Sequence, residues 1–217
     1  MSTSKYKTIA GASSAEFKDR GSKFLAYAFP IGAEKEITEH IDALKKSHAK
    51  ARHWCYAWRT GLDQNHFRAN DDGEPSGTAG RPILGQIDSA GLTQIIIIVV
   101  RYFGGTLLGT SGLINAYKES ARLAIAEAQI IEKIVCCKIV LTFDYALLSD
   151  VMNAIKKLNF EVTHKDFVEN ARIELSIPED EVPFFWLAFK AAVLKIDESE
   201  ATTIKHIGGL EWKIIAE

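Results

Sequence analysis

The residues best suited to chemistry gather behind one apolar run. After Ile95 to Val100 come Arg101, then Gly104 and Gly105, then Gly109, Thr110, Ser111 and Gly112, with Lys118 further on. Glycines between a strand and a helix let backbone N–H groups converge on an anion, and the helix start adds the positive end of its dipole. Upstream, Arg52, His53 and Arg59 bracket the aromatic stretch Arg52-His53-Trp54-Cys55-Tyr56-Ala57-Trp58-Arg59. Lys18 and Lys23 flank a basic turn, Lys18-Asp19-Arg20-Gly21-Ser22-Lys23. These residues form a candidate surface for an anion or a nucleic acid. It would work by charge on phosphates, because no base-reading pattern accompanies it. For Lys18 to Lys23 a solvated hairpin turn is the simpler explanation.

Other chemistries fit less well. Asp71, Asp72 and Glu74 stand in the loop Asp71-Asp72-Gly73-Glu74-Pro75-Ser76-Gly77-Thr78-Ala79-Gly80 and could hold a hard cation through oxygen. The fixed positions and closing Glu of an EF-hand are missing, so Asp side chains bonding their own backbone are expected instead, and no metal or cofactor is assigned. There is no Walker A, HExxH, CxxC or GxSxG sequence. His53 and Cys55 share one side of a strand about 7 Å apart by strand rise, too far for a direct proton relay. A nucleophile at Ser111 or Cys55 would need help from elsewhere in the fold.

The elements that must position these groups can be read from the chain. Six consecutive β-branched residues from Ile95 predict a strand covered on both faces. Leu113, Tyr117, Ala121, Ala124 and Ala128 fall close to one face of a helix from about Ser111 to Ala128, capped by Thr110 or Ser111. Lys5 to Ala28 is strand material broken at Gly21, and Ala33 to Ser47 is a helix with Ile37, Ile41 and Leu44 inward. In Arg52 to Arg59, alternation places Arg52, Trp54, Tyr56 and Trp58 on one face, for stacking or for packing beneath a helix. Asn65 to Gly80 shows no periodicity and reads as a loop, with Thr78 capping a short helix near Arg81-Pro82. A second pattern starts near Val135. Cys137 to Phe143 alternates as a strand, and Leu148, Val151, Ile155 and Leu158 stripe a helix. A hairpin about Glu169-Asn170, a helix from Val182 with Pro183 in its first turn, and a last strand before Ile215 complete a βαββαβ order. That order is the ferredoxin-like split βαβ, with both helices on one face of its sheet. The expectation is therefore an α+β protein of two domains, residues 1–134 and 135–217.

The ordered combination DDGEPSGTAGRP and VVRYFGGTLLGTSGL, behind a RHWCYAW strand, resembles the IMPACT family in its bacterial, YigZ-type members. Ser111 stands where glycine is common and Lys23 where arginine is common. The resemblance implies that residues 1–134 form an IMPACT N-terminal-type β/α domain and residues 135–217 the small second domain. It also implies a plan like domains IV and V of elongation factor G. Eukaryotic members of the family restrain the amino-acid-starvation kinase pathway by competing for an activator protein.

Composition bounds the partners. Net charge is −2. Residues 1–134 hold 17 Lys and Arg against 14 Asp and Glu, net +3, which leaves 9 against 14, net −5, for the rest. A polyanion would favour the first domain. No apolar run approaches the ~20 residues of a membrane span, and MSTSKYKTIAGASS lacks a secretory apolar core. The three cysteines, two of them adjacent, do not suggest a disulfide framework, which fits the cytoplasm. Two functions follow. One is a non-enzymatic binding protein in translation, contacting ribosome, RNA or a translation-associated protein. The other is a phosphate-recognising enzyme using Gly104 to Gly112, by analogy with the GHMP kinases, which share the expected first-domain fold.

Overall fold

Ile95 to Val100 forms the middle of β6 (Ile95–Tyr102), the central strand of a five-stranded sheet ordered β2-β3-β6-β4-β5. The computed structural model describes residues 5–62, 65–168 and 170–215. All six β-branched residues are buried; Ile95, Ile97 and Val99 enter one core, and Ile96, Ile98 and Val100 enter another. Continuous apolar runs of this kind are typical of parallel sheets, yet every pairing here is antiparallel. Coverage of both faces, not strand direction, is what the run encodes.

The neighbouring strands are β2 (Ser13–Asp19), β3 (Ser22–Pro30), β4 (His53–Thr60) and β5 (His66–Asn70). Helix α1 (Glu34–Ser47) covers one face through Ile37 and Leu44, above the half-buried Trp54, Tyr56 and Trp58. The aromatic face of β4 is thus used for packing. Helices α2 (Gly80–Ser89) and α3 (Gly109–Ala126) cover the other face, with Ile83, Ile87, Leu113, Ala116 and Tyr117 against Cys55 and Ala57. Strands β1 (Lys5–Ile9) and β7 (Ile130–Ile134) pair in a separate two-stranded sheet. Arg20 and Gly21, both at positive φ, make the two-residue turn between β2 and β3, so Lys18 to Lys23 is a hairpin turn.

Two expectations change. His66–Asn70 is an edge strand, not loop; its residues are largely exposed, so pairing with β4 rather than an apolar pattern makes it a strand. Neither α2 nor α3 is capped by a hydroxyl. Helix α3 starts at Gly109 behind Leu108, and Thr78 bonds the Pro75 carbonyl instead of α2. Asp71 caps α2 from outside the helix, its Oδ1 accepting from the N–H groups of Ala79 (3.0 Å) and Gly80 (2.8 Å).

Tyr6–Lys133 forms one compact unit, and the chain from Ile134 belongs to another. The second contains β8 (Cys136–Phe143), α4 (Leu148–Lys157), β9 (Glu161–Asp166), β10 (Ala171–Pro178), α5 (Val182–Leu194), a single turn α6 (Glu198–Ala201) and β11 (Leu210–Ile215). Its antiparallel sheet runs β11-β8-β10-β9, the split βαβ order. Ile139, Leu141, Ile173 and Leu175 meet Val151, Ile155, Phe185 and Phe189 in one core, which places α4 and α5 on the same face. Of the expected hairpin tip, Asn170 directly precedes β10, while Glu169 lies outside the described residues. The molecule is a mixed α+β protein.

Candidate functional site

The register of β4 on β6 sets His53 opposite Arg101, at the end of β6 that leads into the glycine loop. Next to this pair opens a cleft of about 520 Å³. Arg52 and His53 line it from the start of β4, and Arg101 and Phe103 from the end of β6. Glu74 and Pro75 line it from the acidic loop, and Leu107, Leu108, Gly109, Thr110 and Leu113 from the approach to α3 and its first turns.

Its floor is a buried polar network. Glu74 Oε1 accepts from the Arg101 guanidinium at 2.6 Å and from the Tyr117 hydroxyl at 2.7 Å. Arg101 also reaches Ser22 Oγ at 3.4 Å, and its Nε is buried without a hydrogen-bond partner. The Cys55 thiol lies 3.0 Å from the Asp71 carbonyl and 3.3 Å from the Tyr117 hydroxyl. Burial pushes the Cys55 thiol and the Tyr117 hydroxyl up, so both are neutral at physiological pH. Cys55 therefore has no thiolate to offer as a nucleophile.

The acidic loop is held by its own carboxylates. Asp71 accepts from Gly77 as well as from the α2 start, and Asp72 accepts from the Trp54 N–H at 2.7 Å. The Asp72 carbonyl accepts from His53 Nδ1 at 2.8 Å. A carbonyl can only accept, so His53 carries its neutral-form proton on Nδ1. Nε2 is then the free nitrogen, 3.9 Å from Glu74 Oε1 and without a hydrogen bond to it.

Comparison with known proteins decides the family. Residues 20–125 match the Impact N-terminal domain, and residues 141–185 match a domain of unknown function, DUF1949. IMPACT family member YvyE of Bacillus subtilis is 33% identical over 83% of this chain and 83% of its own length. The chain belongs to the IMPACT family. IMPACT family member YigZ of Escherichia coli is 32% identical, over 77% of this chain and 82% of its own. A crystal structure of a hypothetical protein is similar throughout, covering all of both chains at 25% identity with a TM-score of 0.71. The two-domain translational regulator Yih1 is 28% identical over 55% of this chain and 48% of its own, with a TM-score of 0.37.

Within this IMPACT chain the predicted residues separate. Arg52, His53, Glu74, Arg101, Gly109 and Thr110 come together in the cleft. Arg59 does not. It sits opposite Ile95 at the other end of β4, nearly buried, with its Nε 2.8 Å from Asp88. Arg101 is likewise an internal ion pair, so neither offers a solvent-facing cation for a phosphate. Lys18 and Lys23 both bind Glu16, at 2.9 and 2.6 Å. Their ammonium groups hold the Glu16 carboxyl below its ordinary range. Gly104 is pressed on the β2–β3 turn: a Cβ there would lie 1.8 Å from the Gly21 carbonyl carbon. Gly105 and Gly109 adopt positive φ in the exposed loop; Ser111 is exposed, Gly112 is half-buried beneath Leu108, and Lys118 lies exposed on α3.

Phe103 and Leu107 are the cleft residues that motif reasoning passed over. Leu107 is 82% exposed and Phe103 43%. The available signal was the adjacent pair Leu107-Leu108 in the glycine loop: Leu108 joins the core and Leu107 is left outside it.

Proposed function

We propose that this chain is a non-enzymatic binding protein in the regulation of translation, acting in the cytoplasm. It meets a translation-associated protein at the cleft between β4, the end of β6 and the start of α3. The family supplies the translational part of the reading: eukaryotic IMPACT members restrain the starvation kinase pathway by competing for an activator protein. One observation favours a protein partner over RNA, namely the exposed Leu107 and Phe103 at the cleft. A protein partner buries such side chains, whereas a phosphate backbone gains nothing from them. A phosphate backbone requires cations, and of the candidates Arg101 faces Glu74 and Lys18 and Lys23 share Glu16, which leaves the exposed Arg52 and Lys118 for it.

The test is capture of translation components by the immobilised full chain, with identification by mass spectrometry at low and high salt. The expected partner is a protein retained at high salt and lost when Leu107 and Phe103 are both changed to Ser. Capture of ribosomes or RNA only at low salt, indifferent to that double change, would transfer the contact to nucleic acid.

A further inference from the structure

We infer that β11, an edge of the βαββαβ sheet, pairs antiparallel with β11 of a second copy of this chain, joining two four-stranded sheets into one. The inference goes beyond the proposed function and does not rest on the cleft. The backbone carries it first. The β11–β8 register sets Leu210 opposite Phe143, hence Gly209 opposite Asp144, and the Asp144 N–H donates to the Gly209 carbonyl. Bonding toward and away from the neighbouring strand alternates along an antiparallel strand. Glu211 and Lys213 therefore turn their backbone groups to β8, while Leu210, Trp212 and Ile214 turn theirs out of the sheet, where no further strand lies among the described residues. Leu210 gives its N–H to the Ile207 carbonyl, which leaves its own carbonyl and both groups of Trp212 and Ile214 for a new strand.

The two edges of this sheet are not equally protected. At the opposite edge, β9 carries exposed His164, Lys165 and Asp166, and its register against β10 shifts between Glu174 and Leu175. Charge and irregularity of this kind discourage a further strand. β11 runs along β8 without a shift. Its Ile214 is 48% exposed, although it shares a face with Leu210 and Trp212, which pack into the core.

Charge selects the occupant. Two copies can pair only where outward-turned residues meet. The central arrangements are then Glu211 opposite Glu211, Lys213 opposite Lys213, or Glu211 opposite Lys213. The first two set like charges together, and the third sets opposite ones, with both side chains exposed. In that third register Trp212 faces its own copy and exchanges both backbone bonds with it. Ile214 faces Leu210, whose carbonyl accepts its N–H, so the exposed isoleucine is covered. Trp212, stacked on Trp186 with ring centroids 5.0 Å apart, gains a second Trp212 across the strands. A strand that complements itself in one central register fits a second copy of this chain.

Sedimentation velocity of the full chain, over a series from micromolar to millimolar concentration, tests it. Wild type is expected to pass from monomer to dimer. Glu211→Lys and Lys213→Glu each set like charges across the new ladder and should each weaken dimerisation about tenfold. An equal mixture of the two variants restores opposite charges at both positions and should recover the wild-type level, as should the two changes made together in one chain. Ile214→Pro removes an outward N–H, leaves the β8 ladder intact and should abolish the dimer. Circular dichroism checks that each variant is folded. Wild type that stays monomeric at millimolar concentration, folded single variants that dimerise as well as wild type, or a mixture that recovers no dimer would each overturn the inference.

Discussion

Arg101 shows how much one side chain is asked to do. Its guanidinium neutralises Glu74 where both side chains are almost wholly enclosed, so removing it leaves a buried, unpaired carboxylate. Arg101→Ala is expected to cost about 3–5 kcal/mol of stability, measured by urea unfolding, before any effect on binding is seen. Replacing the pair together, Arg101→Met with Glu74→Leu, should recover most of that loss. Cys55 offers a second check. Its thiol is buried and kept protonated, so a thiol reagent at neutral pH should label exposed Cys136 promptly and Cys55 only on unfolding. Equal labelling rates would contradict the closed network. The sequence already indicated which residue types would matter here, including Arg52, His53 and Arg101. It could not say which cations would be neutralised, because burial and pairing are settled by strands and loops brought from far along the chain. Glu74 lies 27 residues from Arg101 in sequence.

Among the elements, α2 depends on a cap it does not contain. Burial alone would raise the Asp71 carboxyl, but the N–H groups of Gly77, Gly80 and Ala79 outweigh it and hold it below its ordinary 3.8. A depressed folded value means that this stabilisation is complete above 3.8 and is lost as pH falls through the lower folded value. Asp71→Ala should therefore cost about 1–2 kcal/mol at neutral pH, with the gap from wild type closing in acid; urea unfolding at both pH values checks it. A gap that persists unchanged at low pH would mean that the carboxylate is not the stabilising species. The central strand and the helices were legible because burial on two faces, or on one stripe, leaves a pattern in the residues. The edge strand β5 was not, since His66, Phe67 and Arg68 are exposed and the strand owes its form to the ladder with β4. The helix starts were misplaced by a similar logic: local hydroxyls suggested caps, and a distant carboxylate supplied one.

Across the molecule, two hydrophobic cores fill the larger sheet unit and one fills the βαββαβ unit. The smaller unit was legible almost element by element, because alternating strands and striped helices each declare one buried face. We expect a fragment beginning at Val135 to unfold cooperatively by itself, as followed by circular dichroism; a chain that folds only when joined to Tyr6–Lys133 would contradict this. The proposed functional face was legible only in part. The glycine loop, Arg52 and His53 pointed to the end of β6 where the cleft opens, but they suggested a basic surface where the structure has a cleft with exposed leucine and phenylalanine. The proposed function accordingly rests on that cleft. The most direct measurement is quantitative capture of translation components by the full chain, comparing wild type with the Phe103→Ser, Leu107→Ser double variant of matched stability. The account predicts that wild type retains a translation-associated protein through a high-salt wash and that the variant retains at least about tenfold less, the loss expected when central apolar contacts are removed. Equal retention by both, or no translation component on either, would contradict it.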